Sequence, residues 1–442
     1  MSRTFASLGY YNYRLWFAGA LVSNVGTWMQ RVAQDWLVLT HLTDDSGVAV
    51  GITTALQFLP FLLLGPWAGV LADRVDQRKL LIITQSLAGA LGLGLGALVL
   101  TGHAELWQVY GFAFALGVVG AIDTPARQTY VAALVPPEGL SNAVGLNATA
   151  FNGARLIGPA VAGLTVAWVG IGWVFIINGL TFIATVLSLV AMRKSELWIM
   201  DRAPREPGQV KEGLRYVRGR PEIIVVMIVV STVAAFGLNF QMTSALMARV
   251  AFDRGPEDYG LMGSVLAIGS LAGALLAARR TRIRLRLPLG AALLFGVSSA
   301  VMASMPTFEL YMLASVAVGF SALTMLTSAN ALIQTTTEPR MRGRVMALYS
   351  MILMGSTPIG APIIGWIGEQ AGPRWAVGVG AIAAIAVSIA ATMWAVRYWN
   401  MEITYHRHRP HLEFTYPRQT LSRDDAILRL RAQSVEDASN QP

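Results

Sequence analysis

Residues 47–100 read GVAVGITTALQFLPFLLLGPWAGVLADRVDQRKLLIITQSLAGALGLGLGALVL, and every charged residue in the stretch falls between Asp73 and Lys79. A helix needs about 20 apolar residues to cross the hydrocarbon of a bilayer, and each flank of this island supplies them. Pro60 and Pro66 lie inside the first flank. Membrane helices tolerate such residues because neighbouring helices satisfy the freed carbonyls. The stretch reads as two membrane spans joined by a short charged turn.

The same alternation fills all 442 residues. The chain is 54% hydrophobic and 13% charged, whereas a soluble domain carries about 25% charged residues. Twelve spans follow, at 14–40, 47–72, 79–100, 106–131, 140–167, 172–193, 222–247, 259–279, 287–305, 309–335, 343–369 and 374–397. Lysine and arginine stay on the cytoplasmic side of such proteins. With the N-terminus inside, 28 of the 34 basic residues lie in inner segments, and only Arg249, Arg254 and Arg374 lie in outer loops. That asymmetry puts both termini in the cytoplasm and absorbs the net charge of +9 without nucleic acid as a partner.

The chain also repeats itself. Gly69, Asp73, Arg74, Arg78 and Lys79 after span 2 return as Gly273, Arg279, Arg280 and Arg282 after span 8, an offset of 204. Ile157, Gly158, Pro159 and Gly163 in span 5 return as Ile359, Gly360, Pro362 and Gly365 in span 11. The expected organisation is an N-terminal six-helix bundle (1–194), a cytoplasmic linker (195–221), a C-terminal six-helix bundle (222–400) and a cytoplasmic tail (401–442). In the linker, Val210, Leu214 and Val217 form a stripe flanked by Lys211, Arg215 and Arg218. This suits a helix on anionic lipid or a solvated connection. The polar tail is too short for its own core, though alternation around Ile403, Tyr405 and Phe414 could make a strand.

With no cysteine there is no disulfide framework, thiolate metal site or Cys nucleophile. His41 and His103 stand alone, and His406, His408 and His411 lie in the tail beside arginines. No metal, cofactor or catalytic residue is expected. No phosphate-binding loop with Gly-Lys-Ser/Thr is present, so the chain encodes no ATPase of that type.

These features resemble the major facilitator superfamily over about residues 10–400. The stretch Gly69 to Lys79 resembles its signature between helices 2 and 3, with Gln77 where glycine usually stands. Gly145, Ala154, Gly158, Pro159, Ala162 and Gly163 resemble the helix 5 motif of drug/proton antiporters, with alanine at two glycine positions. Residues 24–30 (NVGTWMQ), 123–128 (DTPARQ), 156–163 (LIGPAVAG) and 342–347 (RGRVMA) are similar to the bacterial exporter branch that contains enterobactin exporters and drug-efflux relatives. The resemblance implies twelve transmembrane helices in two pseudo-symmetric bundles, a bacterial inner-membrane location and efflux of a siderophore, macrolide or other small molecule. It also implies that helix 2 faces helix 11. Asp73 would then meet the positive N-terminus of helix 11 near Gly343, bonded to Arg74 or Arg78, and latch the inner side. The second repeat has Ala277 at the matching position, so the latch would work from one half only. A loop acid that merely obeys topology is the plainer alternative.

Charges within spans are costly and default to function. Five fall there, all in the first half: Arg31, Asp35, Asp123, Arg127 and Arg155. Arg31 and Asp35 are four apart and share a helical face, which Asn24, Thr27 and Gln34 extend toward a cavity. From a mid-helix point near residue 27, Asp35 lies about 12 Å toward the outer face. Burial disfavours a charged carboxylate and a nearby arginine favours it, a balance that cargo could tip. Asp35 is therefore the candidate proton carrier with Arg31 as its modulator; the alternative is a permanent ion pair that only fixes packing. Asp123 and Arg127 suit a structural pair coupling helix 4 to the Asp73 loop. Three arginines against two aspartates leave one positive charge over, so an anionic or polyphenolic substrate is expected to touch Arg155 and Arg31. Gly158-Pro159 allows a bend and close packing, and in the resemblance seals the half against proton leak. The second half offers Asn239, Gln241, Asn330, Gln334, Ser356 and Thr357 with Phe240, Met325 and Tyr349, an adaptable wall or plain packing.

The expected protein is a monomeric exporter driven by inward proton flow, alternating access around a midplane site. Its expected partners are a small molecule, protons and the bilayer. A solute/proton symporter and a non-transporting sensor of the same fold are the alternatives. No nucleophile–base pair at matching depth suggests an enzyme.

Overall fold

The computed structural model describes residues 3–198, 209–278, 284–399, 402–406 and 411–415; a few side chains within these ranges, Asp73 among them, lie outside the description. The first half holds α1 (Tyr11–Leu37), α2 (Gly47–Arg74), α3 (Gln77–Leu100), α4 (Leu106–Tyr130), α5 (Leu140–Val169) and α6 (Ile171–Ala191). A linker helix α7 (Gln209–Arg218) precedes α8 (Pro221–Phe236), α9 (Phe240–Leu246), α10 (Pro256–Ala278), α11 (Arg286–Ser304), α12 (Phe308–Thr336), α13 (Pro339–Gly355), α14 (Thr357–Ala371) and α15 (Pro373–Trp399). Counting the near-continuous pairs α8/α9 and α13/α14 as one each, ten segments among the described residues are long and apolar enough to cross a membrane. The more polar α1 and α5 pack against one another and against α6 and α10, and bring the bundle to twelve.

The charged island Asp73–Lys79 folds as a turn with its own cap. α2 ends at Arg74, Val75 is extended, and the Asp76 carboxylate accepts from the Lys79 amide at 3.1 Å, satisfying one of the free donors at the start of α3. The duplication is visible in the backbone. Gly170 and Gly372 stand at φ 96° and 95°, each alone closing the turn between the fifth and sixth segments of its half. A residue with a Cβ is strained there. π-helical turns at Val38–Leu42 and Met247–Ala251 lead to Asp45 and Asp253, whose φ angles are also positive.

Two spans expected to be continuous are broken. The seventh parts at Gly237–Asn239, where Asn239 leaves the helical region and its amide group turns back to the Ala235 carbonyl at 2.7 Å. The eleventh parts at Ser356, whose hydroxyl bonds to Ser231 of α8 at 3.0 Å. Beside these breaks Gly360 packs directly on the Ala235 backbone, a contact that a side chain would prevent.

One face of the linker helix docks on α13. Val217 is buried among Ile223, Met341 and Val345, and Gly213 faces Arg344. Glu212 pairs with Arg344, and the Tyr216 hydroxyl accepts from the Glu338 amide at 3.2 Å. Burying a side chain such as Val217 contributes about 1.5 kcal/mol, enough to favour docking on α13. Leu214 stays exposed, and the side chains of Val210 and Lys211 lie outside the described residues.

The chain divides into two compact units, 1–388 and 389–442. In the second, β1 (Glu402–His406) pairs antiparallel with β2 (His411–Thr415), Ile403 opposite Phe414. The alternation in the tail thus forms a hairpin.

Candidate functional site

The two halves of the first unit meet along α2–α14 and α5–α10. At the end of the bundle far from the N-terminus the contact is tight. Gly47 and Gly365 pack backbone to backbone, as do Gly51 with Ala361 and Gly163 with Pro256. The Glu369 carboxylate accepts from the Ser46 hydroxyl (2.7 Å) and the Val48 amide (3.1 Å) at the start of α2, and Arg249 reaches Asp45 at 3.2 Å. At the near end Gly65, Gly145, Gly153 and Gly343 face open space. These contacts close the far end.

Between these ends lies the charged cluster. Asp35 is 6% exposed, and no arginine or lysine lies within 4.0 Å of it among the described residues. The permanent Arg31–Asp35 pair considered from the spacing is therefore not formed. The Asp35 carboxylate instead faces the hydroxyl of Tyr259, from α10 of the other half, which is 2% exposed and makes no hydrogen bond of normal geometry. The Tyr259 ring stacks on Trp36 at 5.6 Å.

Arg31 lies over the rings of Trp28 (5.1 Å) and Phe58 (5.5 Å), and Arg155 over Trp28 at 5.5 Å. The Nε of Arg31 is buried without a partner, as is Oε1 of Gln34. Phe58 also lines a small open pocket with Thr54, Asn239, Gln241 and Thr357. Asn239 and Gln241 each leave a buried polar atom unbonded there. The break between α8 and α9 thus brings polar groups beside the ring that carries Arg31. Asn24, two turns before Arg31, is half-buried.

Other expected site residues fall elsewhere. Asp123 accepts from Thr84 (2.6 Å), Gln85 (2.8 Å) and Arg127 (3.0 Å), and Arg127 also covers Trp16. The pair ties α3 and α4 to α1, and these contacts do not include the Asp73 turn. Arg78 donates to the carbonyls of Leu189, Val190 and Met192, capping the end of α6. Arg74 is exposed, Gly69 is half-buried, and the Asp73 side chain lies outside the described residues. Asn330 accepts from Gln334 at 2.6 Å on α12. Met325 and Tyr349 are buried in the second half, and Phe240 packs on Phe295. The helix 5 motif serves contact: Gly158 seats Trp28 of α1, and Gly260 of α10 fits against Pro159.

Sequence reasoning missed Trp28, Phe58, Tyr259, Asp45 and Glu369. Trp28 had a signal, since it stands three residues before Arg31 and so on its face. Tyr259 and Phe58 come from other helices and had none.

Two bundles around a central charged cluster, packed tightly together at one end, define a polytopic membrane protein of the major facilitator fold. The chain belongs to the transmembrane secretion effector family, whose profile matches residues 2–420. It is 28% identical over 365 residues, 80% of this chain and 88% of the relative, to the multidrug efflux pump Tap of Mycolicibacterium fortuitum. It is 22% identical to the staphyloferrin A transporter of Staphylococcus aureus, covering 59% of this chain and 66% of that one. The fold matches a bacterial homologue of the human lysosomal transporter Spinster, inward-facing and unoccupied, with a TM-score of 0.67 at 15% identity over 88% of this chain and 96% of that one.

Proposed function

We propose that this protein exports a small molecule, drug- or siderophore-like, across the bacterial inner membrane by alternating access coupled to inward proton flow. It works as a monomer and catalyses no chemical conversion. The single observation that carries the reading is Asp35: a carboxylate buried in lipid-embedded protein, lacking an ion-pair partner and set against Tyr259 of the opposite half. A group so placed can change its proton occupancy when the halves part.

The excess of basic residues in the segments assigned to the inner side supports a cytoplasmic location for the near end and both termini. With the far end closed, the state that the reading assigns to this conformation is inward-facing, able to load cargo from the cell. Arg31, Gln34, Arg155, Asn239 and Gln241 supply cargo contacts; Asn24 and Asn330 extend the wall toward the cytoplasm. Gly69, Asp73, Arg74 and Gly343 form the inner gate that closes in the other half-cycle, with Arg78, Asp123 and Arg127 bracing the helices behind it. Gly145, Gly158, Pro159 and Gly163 keep α5 close to its neighbours as it moves.

The test is export of a panel of siderophores and antibiotics from cells carrying wild type or Asp35→Asn, with and without a protonophore. Wild-type efflux is expected to stop with the protonophore, and Asp35→Asn to insert normally yet fail to drive uphill export. Equal export by both proteins at every imposed proton gradient would refute the proton assignment, and uptake in place of efflux would favour the symporter.

A further inference from the structure

Trp28 is the centre of a cluster in which two arginines face one acid, Asp35, which acts on Arg31 electrostatically without forming an ion pair. Arg31 and Arg155 lie against its indole at 5.1 and 5.5 Å, and Phe151 meets it edge-on at 5.9 Å. Arg31 also covers Phe58 at 5.5 Å. Two guanidinium groups on one ring repel in a medium of low dielectric constant. No carboxylate lies within 4.0 Å of either among the described residues, and the Nε of Arg31 is buried without an acceptor. Asp123 cannot serve them, because Arg127, Thr84 and Gln85 already occupy it. Gly158 holds the arrangement in place, since a Cβ there would stand 2.5 Å from the Trp28 Cβ.

Arginine inside a membrane faces a partner or an aqueous cavity. Its planar fork of donors matches a carboxylate or similar oxyanion, and its flat face stacks on aromatic rings. Here the rings are provided and the oxyanion is not. We infer that the cargo is an aromatic or conjugated anion, a carboxylate, phenolate or sulfonate, whose charged end sits between Arg31 and Arg155 and whose ring lies against Phe58 and Trp28. This deepens the export reading and rests on it for the word cargo; the anion site itself is a statement about binding. Asn239 and Gln241, beside Phe58 in the opposite half, then meet the polar substituents of the same molecule.

Fluorescein and rhodamine 6G share a xanthene ring and differ in charge, the first an anion and the second a cation near neutral pH. Binding of each to the full chain in lipid nanodiscs, with no gradient imposed, is measured by fluorescence anisotropy. Wild type is expected to prefer fluorescein. Arg31→Gln and Arg155→Gln should each weaken it tenfold or more, Arg155→Lys should retain an intermediate affinity, and rhodamine 6G binding should not fall in any variant. Tighter binding of rhodamine 6G than of fluorescein by wild type, or fluorescein binding indifferent to all three substitutions, overturns the inference. Fluorescein held through both arginines but never exported would leave the site standing and sink the export reading. Proton-driven efflux together with charge-blind binding would do the reverse.

Discussion

Glu369 is the far-end contact whose removal should most change the resting state of the carrier. Its carboxylate receives a hydroxyl and a backbone amide at the first turn of α2, where the helix dipole also favours negative charge. Hydrogen bonds to a charged group are worth about 1.5–3 kcal/mol, and the dipole adds about 0.3–1 at an exposed position in low salt. Glu369 is exposed, so solvent screening reduces the total to roughly 1 kcal/mol. That corresponds to about a fivefold rise in the population open at the far end. Asp45–Arg249 crosses the same gap, but its side chains are 40% and 42% exposed, and such pairs contribute about 0–1 kcal/mol. The expected order is therefore Glu369→Ala above Asp45→Ala, the latter changing the population by at most about fivefold. The chain contains no cysteine, so a single Val50→Cys, at a fully buried position of α2 beside the closure, reports opening by its rate of maleimide labelling from outside. A labelling rate unchanged by Glu369→Ala and by Asp45→Ala would show that backbone packing at Gly47 and Gly365 holds this end shut, and a rate raised more by Asp45→Ala would move the latch to the Asp45–Arg249 pair.

Asp123→Ala strands Arg127 in a mostly buried setting and should lower stability by on the order of 3 kcal/mol, read as a fall in melting temperature in detergent; unchanged melting would mean that the pair is dispensable to packing. Gly158→Leu forces a branched side chain against Trp28, at a cost of about 1–3 kcal/mol. Fluorescein binding should weaken even where the variant stays monodisperse, and retained affinity would separate Trp28 from the site. Asp73→Asn should reduce transport while leaving membrane levels intact, and full transport by that variant would remove Asp73 from the gate.

The spans were legible because a bilayer demands long apolar runs, and islands such as Asp73–Lys79 mark where they stop. Their internal breaks were not, because Gly237 and Ser356 part the helices through contacts between segments, such as Gly360 on Ala235. In the cluster, Arg31, Asp35 and Arg155 stood out by the cost of charge in lipid. Spacing could set Arg31 and Asp35 on one face, yet it could not tell that Arg31 turns to Trp28 and Phe58. Likewise the four-residue interval between Asp123 and Arg127 correctly indicated a pair. Its further partners, Thr84 and Gln85, lie on a helix whose facing side no single sequence reveals. The amphipathic pattern of α7 was real, but periodicity does not distinguish a lipid surface from the flank of α13.

Under the proposed proton coupling, Arg31, Arg155 and Asp35 would also set how voltage acts on the cycle. A monoanion bound beside ionised Asp35 makes the loaded site electroneutral, so its outward turn does no work against the membrane potential. Empty and carrying a proton on Asp35, the same site holds two positive charges. To whatever extent these cross the field on the way back, each gains up to about 2.3 kcal/mol per 100 mV of inside-negative potential. On this reading the battery drives the empty carrier home, and collapsing the potential with potassium and valinomycin slows the return step more than the delivery of cargo.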